Sequence, residues 1–147
     1  MTITYTDDVK TVIDGLQTLA EAEFAPIPIR VAREFEEQYL GTKGEYIRLW
    51  PVNIEQVSRV ASGVYRDYII DVVFYFNKQR YRTEKLLDEI VTPEVERFER
   101  LFDNNHTYGT GGTWFGIDIN TDHNYDEELE NIHQVKLELT VHRGSFF

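Results

Sequence analysis

The sequence predicts an α+β fold: a mostly antiparallel sheet of about five strands with two main helices, in the order α-β-β-β-α-β-β. Three patterns carry that reading. From Val64 to Asn77 the chain alternates, with Tyr68, Ile70, Val72, Phe74 and Phe76 on one face and Tyr65, Asp67, Ile69, Asp71, Val73 and Tyr75 on the other. A period of two held for so long exceeds an average strand and marks the spine of the sheet. Before it, Val9, Val12, Ile13, Leu16, Leu19 and Ala20 recur at spacings of three and four, the stripe of a core-facing helix. After it, Leu86, Leu87, Ile90 and Val91, then Val95, Phe98, Leu101 and Phe102, repeat that stripe.

Taken in order, Thr6 is placed to cap the first helix, with Asp7 and Asp8 in its positive first turn. The helix ends before Pro26, which with Pro28 forces extended backbone into a strand near Ile29 to Phe35. Gly41 and Gly44 mark a turn. Tyr46 to Val52 reads as the second strand, with Tyr46, Arg48 and Trp50 on one side and Pro51 marking an edge or an end. Residues 53–62 are polar and small apart from Ile54, Val57 and Val60, and read as a long hairpin arm or mobile loop.

In the second helix Thr92-Pro93 is a good Ncap–N1 pair inside a pattern that the proline interrupts, so a kink or two abutting helices are expected. Glu96 and Arg100 make an i,i+4 pair on the solvent side, and Asn104 and Asn105 suit the stop. Tyr108 to Gly112 is glycine-rich and reads as a second mobile segment. Phe115, Ile117 and Ile119 alternate in a fourth strand, and Asp122 to Asn131 is an acidic connection. The last strand sends Val135, Leu137, Leu139 and Val141 inward and Gln134, Lys136, Glu138 and Thr140 outward. The expected core holds Val12, Leu16, Ile70, Val72, Phe74, Leu87, Phe98, Leu101, Leu137 and Leu139.

Length and composition narrow the classes. A chain of 147 residues fits one domain, 1–147, able to bury about 68–70% of its unfolded surface. Nine Phe, nine Tyr and two Trp oppose disorder despite a net charge of −11. With no cysteine there is neither a disulfide framework nor a thiolate metal site. No basic stretch followed by an apolar run opens the sequence, and no apolar segment is long enough to span a bilayer, so a soluble cytosolic chain is expected. The acidic balance disfavours phosphate backbones. The basic cluster Lys78, Arg80 and Arg82 reads first as a solvated turn or an inter-subunit salt bridge.

Catalytic and metal patterns fail one by one. Asp118-Ile119-Asn120-Thr121-Asp122 begins like a calcium loop, but His123 stands where the turn glycine belongs and Leu129 where the bidentate glutamate belongs. His133 shares the parity of Val135 and Leu137, whereas His142 points to the opposite face, and His106 and His123 sit in loops without ligand spacing. Asp67 and Asp71 share a face but stand ~13 Å apart, too far for a glycosidase pair. Gly109-Thr110-Gly111-Gly112 lacks the lysine of a phosphate loop and precedes a strand. Ala61-Ser62-Gly63 is no nucleophile elbow, with no histidine nearby to activate Ser62. No enzyme, cofactor or metal is expected.

The arrangement then carries the functional reading. The run Gly63-Val64-Tyr65-Arg66-Asp67-Tyr68 leads into the alternating strand, and Val135-Lys136-Leu137-Glu138-Leu139-Thr140-Val141 closes the sheet. With the opening helix Thr6–Glu21, the strands through Asn77 and the helix to Asn105, this resembles the tail terminator proteins of long-tailed bacteriophages, over nearly the whole chain. The likeness is one of topology and pattern. It implies a subunit of a hexameric ring that caps the tail tube, stops its polymerisation and presents a surface to the head or neck. The implied partners are further copies, the tail tube protein and a head or neck connector, with DNA only in passage through the lumen and no membrane. The implied location is the virion, and the host cytoplasm during assembly. Alternatives are another head–tail connector or neck subunit, a small hydrolase or phosphodiesterase on a ferredoxin-like sheet, and a monomeric ligand-binding module. The second spine face, with Tyr65, Ile69, Val73 and Tyr75, is too apolar for water and is expected against the chain's own helices or a neighbouring subunit. Lys78, Arg80 and Arg82 are expected at subunit or partner contacts, away from a carboxylate-lined lumen through which DNA would slide.

Overall fold

A computed structural model describes residues 7–34, 40, 44–77, 86–109, 113–126 and 132–146. The fold is α+β in the expected order: α1 (Asp8–Phe24), β1 (Ile29–Val31), β2 (Glu45–Val60), β3 (Gly63–Asn77), a π-helical turn (Leu86–Val91) running into α2 (Thr92–Asn104), β4 (Gly116–Asp126) and β5 (Ile132–Phe146). The five strands lie in the order β1-β2-β3-β5-β4. β1 runs parallel to β2, and every other neighbouring pair is antiparallel. The long alternating strand β3 is therefore the spine, bonded to β2 on one flank and to β5 on the other.

Both helices cover one face. Val12, Leu16, Ala20 and Phe24 of α1 and Val95, Phe98 and Phe102 of α2 meet Tyr68, Ile70, Val72, Phe74 and Phe76 of β3 and Val135, Leu137, Leu139 and Val141 of β5 in the main core. Phe98 sits at its centre, edge-on to Phe74 with centroids 5.2 Å apart, 4.8 Å from Phe102 and 5.9 Å from Phe24. Of the expected core, Leu101 is only half-buried, and the Leu87 side chain lies outside the described residues.

Several details differ from the sequence reading. Asp7, not Thr6, caps α1: its carboxylate accepts the Lys10 N–H at 3.0 Å, leaving Asp8 in the first turn. Thr6 lies outside the described residues. β1 stops at Val31; beyond it the Ala32 N–H still donates to the Leu49 carbonyl at 3.2 Å, while the Arg48 guanidinium takes the carbonyls of Ala32 and Arg33, at 3.1 and 2.9 Å. Position 35 lies outside the described residues. Two helical segments do abut before Pro93, the π-helical turn ending at Val91 and α2 beginning at Thr92, but the backbone is already helical at Val91, so Thr92 does not cap α2. Arg97 makes ion pairs to Glu23 at 2.7 Å and Glu94 at 3.8 Å, and the expected Glu96–Arg100 pair is not among the ion pairs of the described residues. Asn105 ends α2 as expected, its side chain donating to the Leu101 carbonyl at 2.7 Å. β4 continues through the first part of the supposed acidic connection, pairing Asn124, Tyr125 and Asp126 with Lys136, Val135 and Gln134.

Of the two readings of 53–62, a long hairpin arm or a mobile loop, the structure has the hairpin arm and not the loop. β2 runs on to Val60, pairs with β3 as far as Val60↔Gly63, and turns through Ala61 and Ser62 alone. Two register shifts, between Pro51 and Asn53 and between Gln56 and Ser58, break the period of two and hide the strand in the sequence. Its polarity reflects position: every residue from Val52 to Val60 is exposed. Pro51 falls just past the last partner on β1, at a shift, where a missing N–H is tolerated.

Candidate functional site: the second face of the sheet and its open edge

The face of β3 turned away from the helices divides into a closed end and an open end. At the closed end Tyr46, Val73, Tyr75 and Ile132 form a second small core with Leu40 against it. Tyr46 and Tyr75 stack with centroids 5.4 Å apart, and the Arg48 Nε donates to the Tyr75 hydroxyl at 3.0 Å. Strand pleating places these residues together, since Tyr46 lies opposite Tyr75 and Arg48 opposite Val73. Of the residues expected at an interface, Val73 and Tyr75 are thus buried within the chain itself, with no helix over them among the described residues. Tyr65 and Ile69 are half-buried at the open end. Lys78, Arg80 and Arg82 lie outside the described residues.

The open end carries a cluster that residue spacing did not reveal. His142 of β5 stands opposite both Asp67 of β3 and Gly116 of β4. Its Nδ1 lies 2.5 Å from an Asp67 carboxylate oxygen, and its Nε2 lies 2.7 Å from one of Asp118. Burial works against the charge on the ring, but hydrogen bonds and attraction from Asp118 and Asp67 outweigh it, and the His142 pKa is raised above its ordinary value. Phe115 lies beside the ring with centroids 6.1 Å apart, and Tyr65 meets Phe115 edge-on at 5.9 Å. Gly116 lets the ring lie close, since a Cβ would stand 3.1 Å from His142 Cδ2 and 3.4 Å from His106 Cε1 and the rings would have to give way.

The sequence held half of this signal. Asp67, Asp118 and His142 each fall on the outward parity of their strands, but which of them meet depends on register across three strands. Asp67 shares a strand face with Asp71, four residues away, but its partner His142 lies seventy-five residues on. His133 points the other way, buried near Phe76. Among the described residues no three His, Asp or Glu side chains are grouped to hold a metal ion.

Beside this face runs an open edge. β1 pairs with β2 only as far as Val31↔Leu49, so among the described residues no strand borders the outer flank of β2 from Val52 to Val60. Val52, Ile54, Val57 and Val60 are exposed there, Val57 by 61%. Phe115, on the opposite side of the sheet, is exposed by 52%. No helix among the described residues is long and apolar enough to cross a membrane. Compared with known proteins, the chain matches no family model, and no curated protein is similar to it in sequence.

Proposed function

We propose that this protein is a structural assembly subunit, a tail terminator of a long-tailed bacteriophage whose copies close into a ring, six by the family's pattern. In this reading the ring caps the tail tube, stops its polymerisation and joins it to the head or neck. The observation that carries the proposal is the outer half of the β2–β3 hairpin, a long strand edge studded with Val52, Ile54, Val57 and Val60. Sheet edges in monomers are blunted by charge, shortness or cover. Here the edge is long and uncovered among the described residues, with Val52, Ile54, Val57 and Val60 exposed between polar neighbours, which suits strand pairing with another chain. Head-to-tail contacts close a ring only when the rotation per subunit is right, so closure can await the tube end as a template.

The reading includes no catalytic role. Both ring nitrogens of His142 are held by carboxylates, which leaves none to take a proton from a nucleophile. The net charge of −11 per copy fits a channel along which DNA slides without sticking. The test is light scattering at rising concentration, alone and with purified tail tubes, followed by duplex DNA binding at low salt. A defined oligomer, alone or on the tube, with no tight DNA binding is expected. A strict monomer that ignores tubes, or a tight duplex binder, overturns the proposal.

A further inference from the structure

We propose that His142 is a proton-operated latch, holding the start of the edge strand β4 against β3 and β5 while both its ring nitrogens carry protons, and releasing Asp118 when one is lost. The inference goes beyond the assembly reading and does not depend on it.

Among the described residues β4 is an edge strand, hydrogen-bonded to β5 alone. One side chain ties its first residues across to the spine. His142 reaches Asp67 on β3 at 2.5 Å and Asp118 on β4 at 2.7 Å, while its carbonyl accepts the Phe115 N–H at 3.0 Å and its ring neighbours Phe115. A carboxylate only accepts hydrogen bonds, so satisfying two of them needs an N–H on each ring nitrogen, the state found only in imidazolium. Neutral imidazole has one N–H. One carboxylate would then face a lone pair at hydrogen-bond distance, which is repulsive.

Exposure decides which contact opens. The Asp118 side chain is 74% exposed and water can solvate it once freed, whereas that of Asp67 is 21% exposed. The neutral ring therefore keeps Asp67 through Nδ1–H and releases Asp118, and with it the start of β4 beside Phe115. The other titratable groups around the ring are His106, whose Cε1 lies near Gly116, and Glu55 of β2, which pairs with Asp67 across the strands. No lysine or arginine is paired with either carboxylate among the described contacts, so the latch charge comes from His142.

The test uses the full chain. Ring nitrogen shifts followed by NMR over pH should show both His142 nitrogens protonated below a titration midpoint that lies above 6.5. The midpoint should fall in Asp118→Asn, whose exposed site leaves folding intact, and again in Asp67→Asn. Amide exchange at Ile117 and Ile119, referenced to Asp118→Asn at each pH, should lose its extra protection as the wild-type ring deprotonates. A midpoint at or below 6.5, an unchanged midpoint in both variants, or a protection difference that is constant across the titration each overturns the latch.

Discussion

Trp114 closes over the backbone of Gly15: a Cβ at position 15 would stand 2.9 Å from Trp114 Cζ3 and 3.2 Å from Tyr108 Cε1. The indole is fully buried, donates through Nε1 to the Asn105 carbonyl at 3.0 Å, and lies 4.7 Å from the Tyr108 ring. The segment leading into β4 is thereby keyed onto the middle of α1. Alanine in an exposed helix interior gains about 1 kcal/mol over glycine. Here overpacking costs about 1–3 kcal/mol and wins, so Gly15→Ala should lower the urea midpoint. A raised midpoint would show that the ring can retreat.

Phe98 joins both helices to the spine through Phe24, Phe102 and Phe74. Phe98→Ala should cost about 3–5 kcal/mol, the range for a buried aromatic whose cavity cannot collapse. Chemical denaturation with far-ultraviolet circular dichroism checks it. A loss below about 1 kcal/mol would mean that the core refills the space.

Asp8 fastens the N-terminus of α1 to β5. It accepts two donors of the Arg143 guanidinium, at 3.1 and 3.0 Å, and the Ser145 hydroxyl at 3.0 Å, while Arg143 also reaches the Thr113 carbonyl at 2.7 Å. Both partners are mostly buried, so Asp8→Ala leaves a guanidinium short of its anion. A loss of about 2–3 kcal/mol is expected, somewhat less than for a fully buried pair. The double variant with Arg143→Met should recover part of it; a purely additive loss would count against the coupling.

His142 gives stability a definite dependence on pH. Its folded-state pKa is raised, so its contribution is complete below the ordinary value of 6.5 and is lost as pH rises through the folded value. The melting temperature of the wild type should therefore fall across that interval relative to Asp118→Asn. Parallel curves for the two proteins would remove the linkage.

Val57 and Ile54 on the open edge make few contacts within the chain. Lysine at either position should change stability by less than about 0.5 kcal/mol, as at other exposed sites. In the assembly proposal the same changes abolish oligomerisation or docking on tail tubes, by placing a charge where strands pair. Variants that assemble normally would move the interface elsewhere.

Local pattern alone determined the two helices, the spine strand and the closing strand, and the inward face of each. The period of two in β3 and β5 selected Ile70, Val72, Phe74, Leu137 and Leu139, and the helical stripe selected Val12, Leu16 and Phe98. These are buried because burial of an apolar face is what creates such periods. Tertiary structure decided what depends on register. Two shifts in β2 erased its alternation, so the sequence left a hairpin arm and a mobile loop both open until the hydrogen bonds to β3 decided for the arm. Val73 and Tyr75 shared a parity with Tyr65 and Ile69, yet only the first two meet Tyr46 and Ile132 and leave the surface. Asp67, Asp118 and His142 became one cluster only when three strands aligned across a separation of seventy-five residues. Side-chain period is set within a strand, but partner choice is set between strands, by the summed packing of the whole sheet.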